Sequence, residues 1–290
     1  MQPKQLSPLQ LRTLIAEGES ILAEGPHPER ARRDAEALLL HLLARERAWL
    51  IAHSSDALPA EEAARYSALI ARRRAGEPIQ YINGEAEFYG RTFHVEPGVL
   101  IPRPETEHLI EKTLELAPAF SAPRIVDVGS GSGAIAVTLA AELAKAKLSS
   151  IDISAAALKV AQANAALNHA SVRFLAGDLL APVAREQFEF VVSNPPYVPT
   201  ADRDSLSVEV RDYEPALALF AAEDGLSIYR RLIPEAHAVL VAGGWLLMEI
   251  GYGQSEAIAT LLAGSGFTQI GFTPDLQGIA RVAAAQKRPL

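Results

Sequence analysis

The sequence predicts an α/β protein, with an open and mostly parallel sheet, helices on both of its faces, and a small helical domain ahead of it. Three observations lead there. The first ~76 residues carry helical periodicity only. After Pro123, β-rich runs alternate with helical stretches, the pattern of a parallel sheet with crossover helices. The last two of seven such runs are joined only by Pro274-Asp-Leu-Gln-Gly278, which leaves no room for a crossover helix, so they must pair antiparallel.

In the helical part, Ser7-Pro8 reads as an N-cap and first-turn pair, followed by Leu11, Leu14, Ile15, Ile21 and Leu22 at helical spacing. Ala31, Ala35, Leu38, Leu39, Leu42 and Leu43 share one face of a second helix. Ala63, Tyr66, Leu69 and Ile70 mark a third, which runs through Arg72-Arg73-Arg74 and stops at Gly76. Asn83-Gly84 is a hairpin-turn signal, with Phe88, Phe93 and Val95 placed as in a two-stranded ribbon. A helix follows Pro104 through Leu109, Ile110, Leu114 and Leu116.

The seven strands expected are Arg124–Val128, Leu148–Asp152, Val172–Leu175, Phe188–Ser193, Gly244–Ile250, Thr268–Phe272 and Ile279–Ala284, with a helix capped by Ser154 running to Leu167. This order, a Rossmann-like seven-stranded sheet ending in one reversed hairpin, resembles the class I methyltransferase architecture.

Composition narrows the function classes. With 49% hydrophobic and 21% charged residues the chain is globular. It has no cysteine, which removes disulfides, thiolate metal sites and cysteine nucleophiles. The first residues lack a signal-peptide core, and no apolar run approaches the ~18 residues of a membrane span, so a soluble, cytoplasmic protein is expected. Residues 1–85 are close to neutral, with 11 basic and 12 acidic side chains; the remainder has 16 against 23. An acidic sheet domain disfavours DNA as a partner.

Two motifs carry chemistry. Asp127-Val-Gly129-Ser130-Gly131-Ser132-Gly133 places three glycines between a strand and a helix, where the turn needs unusual backbone angles and a ligand must approach the backbone. Asp152, at the end of the next strand, can accept both hydroxyl hydrogens of an adenosine ribose. The spacing fits both a dinucleotide fingerprint and an S-adenosylmethionine loop. After the fourth strand comes Asn194-Pro195-Pro196-Tyr197. Its prolines remove two amide donors, so the Asn194 side-chain oxygen and the Pro195 carbonyl can accept both hydrogens of a planar –NH2 group while Tyr197 covers its flat face. That pattern favours methyl transfer from S-adenosylmethionine to an amine-bearing group, whether adenine, cytosine or glutamine.

A longer signature chooses among them. Gly76-Glu-Pro-Ile-Gln-Tyr-Ile-Asn-Gly84, Glu87-Phe-Tyr-Gly90 and Val99-Leu-Ile-Pro-Arg-Pro-Glu-Thr-Glu107 resemble the linker of HemK-type protein-glutamine methyltransferases. The Gly loop, Asp152, Gly177-Asp178, Asn194–Tyr197, Tyr213-Glu-Pro and Glu223-Asp-Gly225 follow in that family's order. The resemblance implies methylation of the glutamine N5 in the Gly-Gly-Gln loop of class I peptide chain release factors, with S-adenosylmethionine as cofactor, no metal, and a monomeric enzyme. It implies a helical substrate-recognition domain at 1–76, a β-hairpin linker at 77–103 and a methyltransferase domain at 104–290. Asp127 and Gly129 through Gly133 would hold the methionine part, Asp152 the ribose, and Asp178 and Leu179 the adenine. Asn194 would lie against both cofactor and substrate, and Asn194 through Tyr197 would bind the glutamine amide. Many relatives have an aromatic residue where Leu179 stands. A sister family that methylates a ribosomal large-subunit protein breaks the Pro102–Glu107 element, which is intact here. That ribosomal protein and, further off, DNA or RNA adenine N6 are the alternative substrates.

Other polar residues have plainer readings. His94 and His108 are read as structural, Arg72-Arg73-Arg74 as a solvated helix end, and Trp49 and Trp245 as core. Arg103 and Glu105 either order the ribbon or close the site, or form purely structural salt bridges, with equal weight. Glu249 is equally consistent with a structural and a functional role.

Overall fold

The computed structural model describes residues 9–289. The chain forms two compact units, Met1–Gly84 with Ser207–Tyr213, and Glu85–Leu206 with Glu214–Leu290. This division differs from the boundaries expected at residues 76 and 103: the ribbon belongs to the sheet unit, and a segment beyond Asn194–Tyr197 belongs to the helical one.

The helical unit packs α1 (Leu11–Leu22), α2 (Ala31–Leu43), α3 (Arg47–His53), α4 (Ala60–Arg74) and α5 (Ile79–Asn83) around Leu14, Ala35, Leu38, Leu39, Tyr66 and Ile70. The expected Ser7-Pro8 start lies outside the described residues. Within them α1 follows Gln10, and its leading amides Leu11 N–H and Arg12 N–H donate to the carbonyls of Asp56 and Ser54 at 2.9 Å each. Those carbonyls do the work a capping side chain would do. Helix α3 had no clear sequence signal: it is seven residues long and buries only Leu50. Trp49 on it is half-buried and stacks on His53, at the core's margin rather than within it.

The Arg72–Arg74 run is not uniformly solvated. Arg72 and Arg74 pair with Glu77 and Glu24 at the surface, but Arg73 is buried. Its Nε donates to Asp34 Oδ2 at 2.6 Å, and its Nη1 donates to the Glu77 carbonyl and pairs with Glu209 in the Ser207–Tyr213 segment. A buried guanidinium needs this many acceptors to offset lost hydration.

The hairpin turn also lies elsewhere. Gly84, at φ +77°, closes α5 instead of linking two strands. Strands β1 (Glu85–Phe88) and β2 (Arg91–His94) are joined by Tyr89-Gly90, whose φ values of 51° and 67° suit a tight two-residue turn.

The sheet unit continues with a 3-10 turn at Pro104–Thr106, then α6 (Glu107–Leu116), β3 (Arg124–Val128), α7 (Ala134–Glu142), β4 (Lys147–Asp152), α8 (Ala155–Leu167), β5 (Val172–Ala176) and β6 (Phe188–Ser193). After the excursion at Ser207–Tyr213 come α9 (Ala216–Leu219), α10 (Ser227–Val239), β7 (Leu240–Glu249), α11 (Ser255–Gly264), β8 (Phe267–Pro274) and β9 (Ala280–Lys287). Each expected strand is present. The sheet order is β5-β4-β3-β6-β7-β9-β8, parallel up to β7, with β9 antiparallel to both its neighbours. One face is buried under α10 and α11 by Val126, Tyr229, Leu232, Leu246 and Met248, and the other under α6 and α7 by Leu109, Ile125, Val137, Phe190 and Leu247. Trp245 packs half-buried at the edge of the second face.

Removing Arg73 leaves the buried Asp34 carboxylate without its cation, so Arg73→Ala should destabilise the helical unit by about 3–5 kcal/mol. Trp49 reports this unit once Trp245 is replaced by Phe. Urea unfolding followed by Trp49 fluorescence should show the loss, and an unchanged midpoint would remove the ion pair from the account.

Candidate active site

The strand order reverses between β3 and its neighbours β4 and β6, and ligands of open α/β sheets bind at the carboxyl ends of strands at such a point. A cavity of about 480 Å³ opens there. Its wall includes Gly129, Ser130, Gly131, Ser132, Asp152, Asp178, Leu179, Asn194, Pro195 and Pro196, so most of the residues singled out from sequence are brought together.

The Gly loop is pinned from below. Gly129 N–H and Ser130 N–H both donate to the Ile151 carbonyl, at 2.8 and 3.0 Å. Gly129, Gly131 and Gly133 all have positive φ, which side chains resist. A Cβ at Gly131 would meet no atom within 4 Å, so the loop backbone is bare toward the cavity it lines. Gly133 departs from expectation. It is absent from the wall, and the absence of a Cβ lets it close on Ala161 of α8, where one would lie 3.1 Å from that backbone. It serves packing of the loop onto a helix.

Asp152 lies at the carboxyl end of β4, its Oδ2 accepting Gly131 N–H at 2.9 Å and its Oδ1 accepting Ser154 N–H at 2.8 Å. Each oxygen keeps acceptor capacity for a further donor. Asp178 and Arg231 form an ion pair on the same wall, beside Leu179, whose φ is 48°. The bare Gly loop, a diol-sized pair of acceptors and an aliphatic wall fit S-adenosylmethionine.

Asp127 does not reach the cavity. It is fully buried beneath the loop, where Ser150 Oγ donates to its Oδ2 at 2.7 Å and in turn contacts Ser130 Oγ. Its Oδ1 has no partner. Burial pushes the carboxyl up to about 7, against the Ser150 hydrogen bond and with help from nearby Asp152.

Asn194, Pro195 and Pro196 form the adjoining wall. Asn194 Nδ2 donates to Thr106 Oγ1 at 3.1 Å, and Thr106 Oγ1 donates to Glu249 Oε2 at 2.6 Å. No described donor reaches Asn194 Oδ1. Tyr197 departs from its expected place over the cavity. Its ring packs against the core, and its hydroxyl donates to Glu249 Oε1 at 3.2 Å, the partner a buried phenol requires. Burial raises both groups, Tyr197 with help from the Glu249 charge, and Glu249 against the bonds from Thr106 and Tyr197.

Several support residues lie outside the two chemistry-bearing motifs, and one of them, Asn164, carried no sequence signal. Glu214 accepts Ile101 N–H at 3.2 Å and pairs with Arg103, tying the start of α9 to the segment ahead of α6. Asn164 of α8 accepts His94 N–H at 2.7 Å and donates to the Ser132 carbonyl at 2.8 Å, so the ribbon is bonded to the Gly loop. His94 serves through its backbone, and His108 pairs with Glu111 at the surface. Gly225 packs so closely on Tyr197 that a Cβ would lie 2.3 Å from the Tyr197 carbonyl. Among the described residues, no three His, Cys, Asp or Glu side chains converge to hold a metal ion, and no helix is long and apolar enough to cross a membrane.

Fold and site together define a class I methyltransferase, and comparison with known proteins agrees. Residues 105–210 match the methyltransferase small domain, and residues 13–84 match the PrmC N-terminal domain. The release factor glutamine methyltransferase of Koribacter versatilis is 47% identical over 266 residues, covering 91% of this chain and 93% of that protein. That of Geobacter sulfurreducens is 42% identical over 258 residues, covering 89% and 90%. The chain belongs to the release factor glutamine methyltransferase family. Solved structures share the fold at low identity. A T. thermophilus 16S rRNA N2 G1207 methyltransferase in complex with AdoMet and guanosine aligns with a TM-score of 0.53 at 21% identity, covering 70% of this chain and 50% of that one. A Pyrococcus furiosus methyltransferase aligns at 0.52 and 17%, covering 78% and 99%.

Asp127 makes stability depend on pH. Unfolded, it releases its proton at about 3.9; folded, it holds the proton to about 7. Its contribution to stability is fully present below the lower value and is lost as pH rises through the upper one. Asp127→Asn cannot ionise, so its melting temperature relative to the parent should climb between pH 5 and pH 8 in ligand-free protein. A gap that is the same at both pH values would show that Asp127 does not titrate there.

Proposed function

We propose that the chain transfers a methyl group from S-adenosylmethionine to the side-chain amide nitrogen of the glutamine in the Gly-Gly-Gln loop of class I peptide chain release factors, in the cytoplasm. The observation that carries this reading is the Asn194 carboxamide. Its NH2 end is engaged by Thr106, which leaves Oδ1 as an acceptor beside Pro195 and Pro196, neither of which has an amide to donate. The names of the relatives supply the protein substrate.

An amide nitrogen is a poor nucleophile because its lone pair is delocalised into the carbonyl. In this reading Asn194 Oδ1 and the Pro195 carbonyl accept its two hydrogens, raise electron density on nitrogen and free the lone pair for attack. Fixed acceptors in a largely apolar cavity do this without reorganising during the reaction. Gly129 through Ser132 would hold the methionine portion of S-adenosylmethionine, Asp152 its ribose hydroxyls, and Asp178 and Leu179 its adenine. Bound there, the cofactor supplies an electrophilic methyl group. No base need act beforehand, because the amide proton becomes strongly acidic once nitrogen is alkylated. Tyr197 would act by holding the loop rather than by covering the amide, and Asp127 by supporting the Gly loop from beneath. We assign the helical unit to docking of the release factor.

Incubation with methyl-labelled S-adenosylmethionine and a release factor, the ribosomal protein alternative or DNA tests the assignment. Label should enter the Gly-Gly-Gln glutamine, and label in DNA or in the ribosomal protein alone overturns it. Asn194→Ala should lower kcat by about a hundredfold or more, with cofactor affinity held within a few fold. Parallel loss of both would place Asn194 in the binding of cofactor instead.

A further inference from the structure

Glu249 sits at the end of β7 with its side chain buried, and its carboxylate accepts hydrogen bonds from two groups on separate elements. Thr106, from the 3-10 turn ahead of α6, reaches Oε2, and Tyr197, from the loop after β6, reaches Oε1. The Tyr229 hydroxyl of α10 donates to the backbone carbonyl of the same residue at 2.8 Å. The first two donors bind the carboxylate, and the third holds the backbone that carries it.

Hydrogen-bond direction runs through this set in one sense. With Glu249 ionised, as its two hydrogen bonds from Thr106 and Tyr197 favour, it has only lone pairs to offer, and the Thr106 hydroxyl gives its single proton to it. The hydroxyl then has only acceptor capacity left for Asn194, and only the NH2 end of a carboxamide can donate to it. Asn194 is therefore turned with Nδ2 toward Thr106 at 3.1 Å. Reversing the amide would set oxygen against oxygen and leave the Thr106 oxygen without a donor.

We propose that Glu249 and Thr106 are positioning residues that fix which end of the Asn194 carboxamide the cavity meets, so that the site presents an acceptor and selects a primary amide over a carboxylate. This rests on the glutamine reading above. With the amide reversed, Nδ2 would offer a donor to the cavity, and a glutamate side chain would be as well received as a glutamine. Asn194 by itself does not discriminate; the acid behind the hydroxyl does.

Full-length Thr106→Val, Thr106→Ser and Glu249→Gln separate this from a merely structural role. Val keeps the shape of Thr and removes the hydroxyl. It should lower kcat on the release factor at least about tenfold, with a smaller change in KM and in cofactor affinity. Ser keeps the hydroxyl and should restore kcat to within about threefold of the parent. Gln at 249 can donate to Thr106 and so permits either direction; kcat should fall there too, which covers the case in which Val impairs folding.

An independent readout is hydrogen exchange of the Asn194 side-chain NH2, followed by NMR in protein labelled at asparagine nitrogen. One proton should be protected in the parent and in Thr106→Ser, and unprotected in Thr106→Val. Unchanged kcat and exchange in both Thr106→Val and Glu249→Gln would overturn the proposal. If the parent methylates no release factor, the glutamine reading fails, while the exchange measurement still decides the orientation of Asn194.

Discussion

Parallel pairing of β3 with β6 ends with Val128 opposite Ser193, and the Ser193 hydroxyl donates to the Val128 carbonyl at 2.6 Å. Both chains leave the sheet one residue later, so Gly129 and Asn194 emerge side by side. A Cβ on Gly129 would come within 3.9 Å of the Asn194 carbonyl. This register sets the distance between the loop proposed to hold the cofactor and the loop proposed to hold the reacting amide. A shift of one residue in either strand would turn its side chains to the other face of the sheet, and the two loops would no longer line one cavity together. The buried faces of Ile125, Val126, Phe190 and Val191 hold that register, so core packing and site geometry share one constraint.

Much of this was legible in the sequence because its signals are contiguous. The glycines at 129, 131 and 133 report backbone angles, the prolines at 195 and 196 report missing donors, and the short loop at 274–278 reports antiparallel pairing. Each follows from the chemistry of residues adjacent in the chain. The ribbon turn was misplaced because Asn83-Gly84 and a helix C-terminus make the same demand, a residue at positive φ. The real turn uses Tyr89, a residue type that carries no such signal.

What was not legible depends on partners far apart along the chain. Arg73 looked like its exposed neighbours until Asp34, 39 residues away, and Glu209 closed over it. Nothing local marks Ser207–Tyr213 as part of the helical unit, although Tyr213 donates to the Ala75 carbonyl at 3.1 Å. Thr106 and Glu249 are 143 residues apart and meet only because α6 begins and β7 ends beside the same loop. Tyr197 and Asp127 were assigned to the cavity from motif position, and burial moved both behind its walls. In a sheet whose strands are covered on both faces, the residue before a loop can point into the core as readily as toward a ligand.

A neutral side chain at position 194 suits the proposed role of that residue. Asp127 lies beneath one wall and Glu249 behind the other, both buried, and burial raises the pKa of each. A carboxylic acid in place of Asn194 would be partly desolvated beside these two acids, which favours its protonated form. In that form it would present a donor where the proposed mechanism needs an acceptor. Asn194, as proposed above, supplies an acceptor with no net charge, in an orientation set by Thr106. A glutamate substrate would meet the same cost: taking an unpaired carboxylate out of water costs several kcal/mol, and a wall of acceptors returns none of it. A glutamine loses far less on entry and, in the proposed reading, offers the two hydrogens the wall can use.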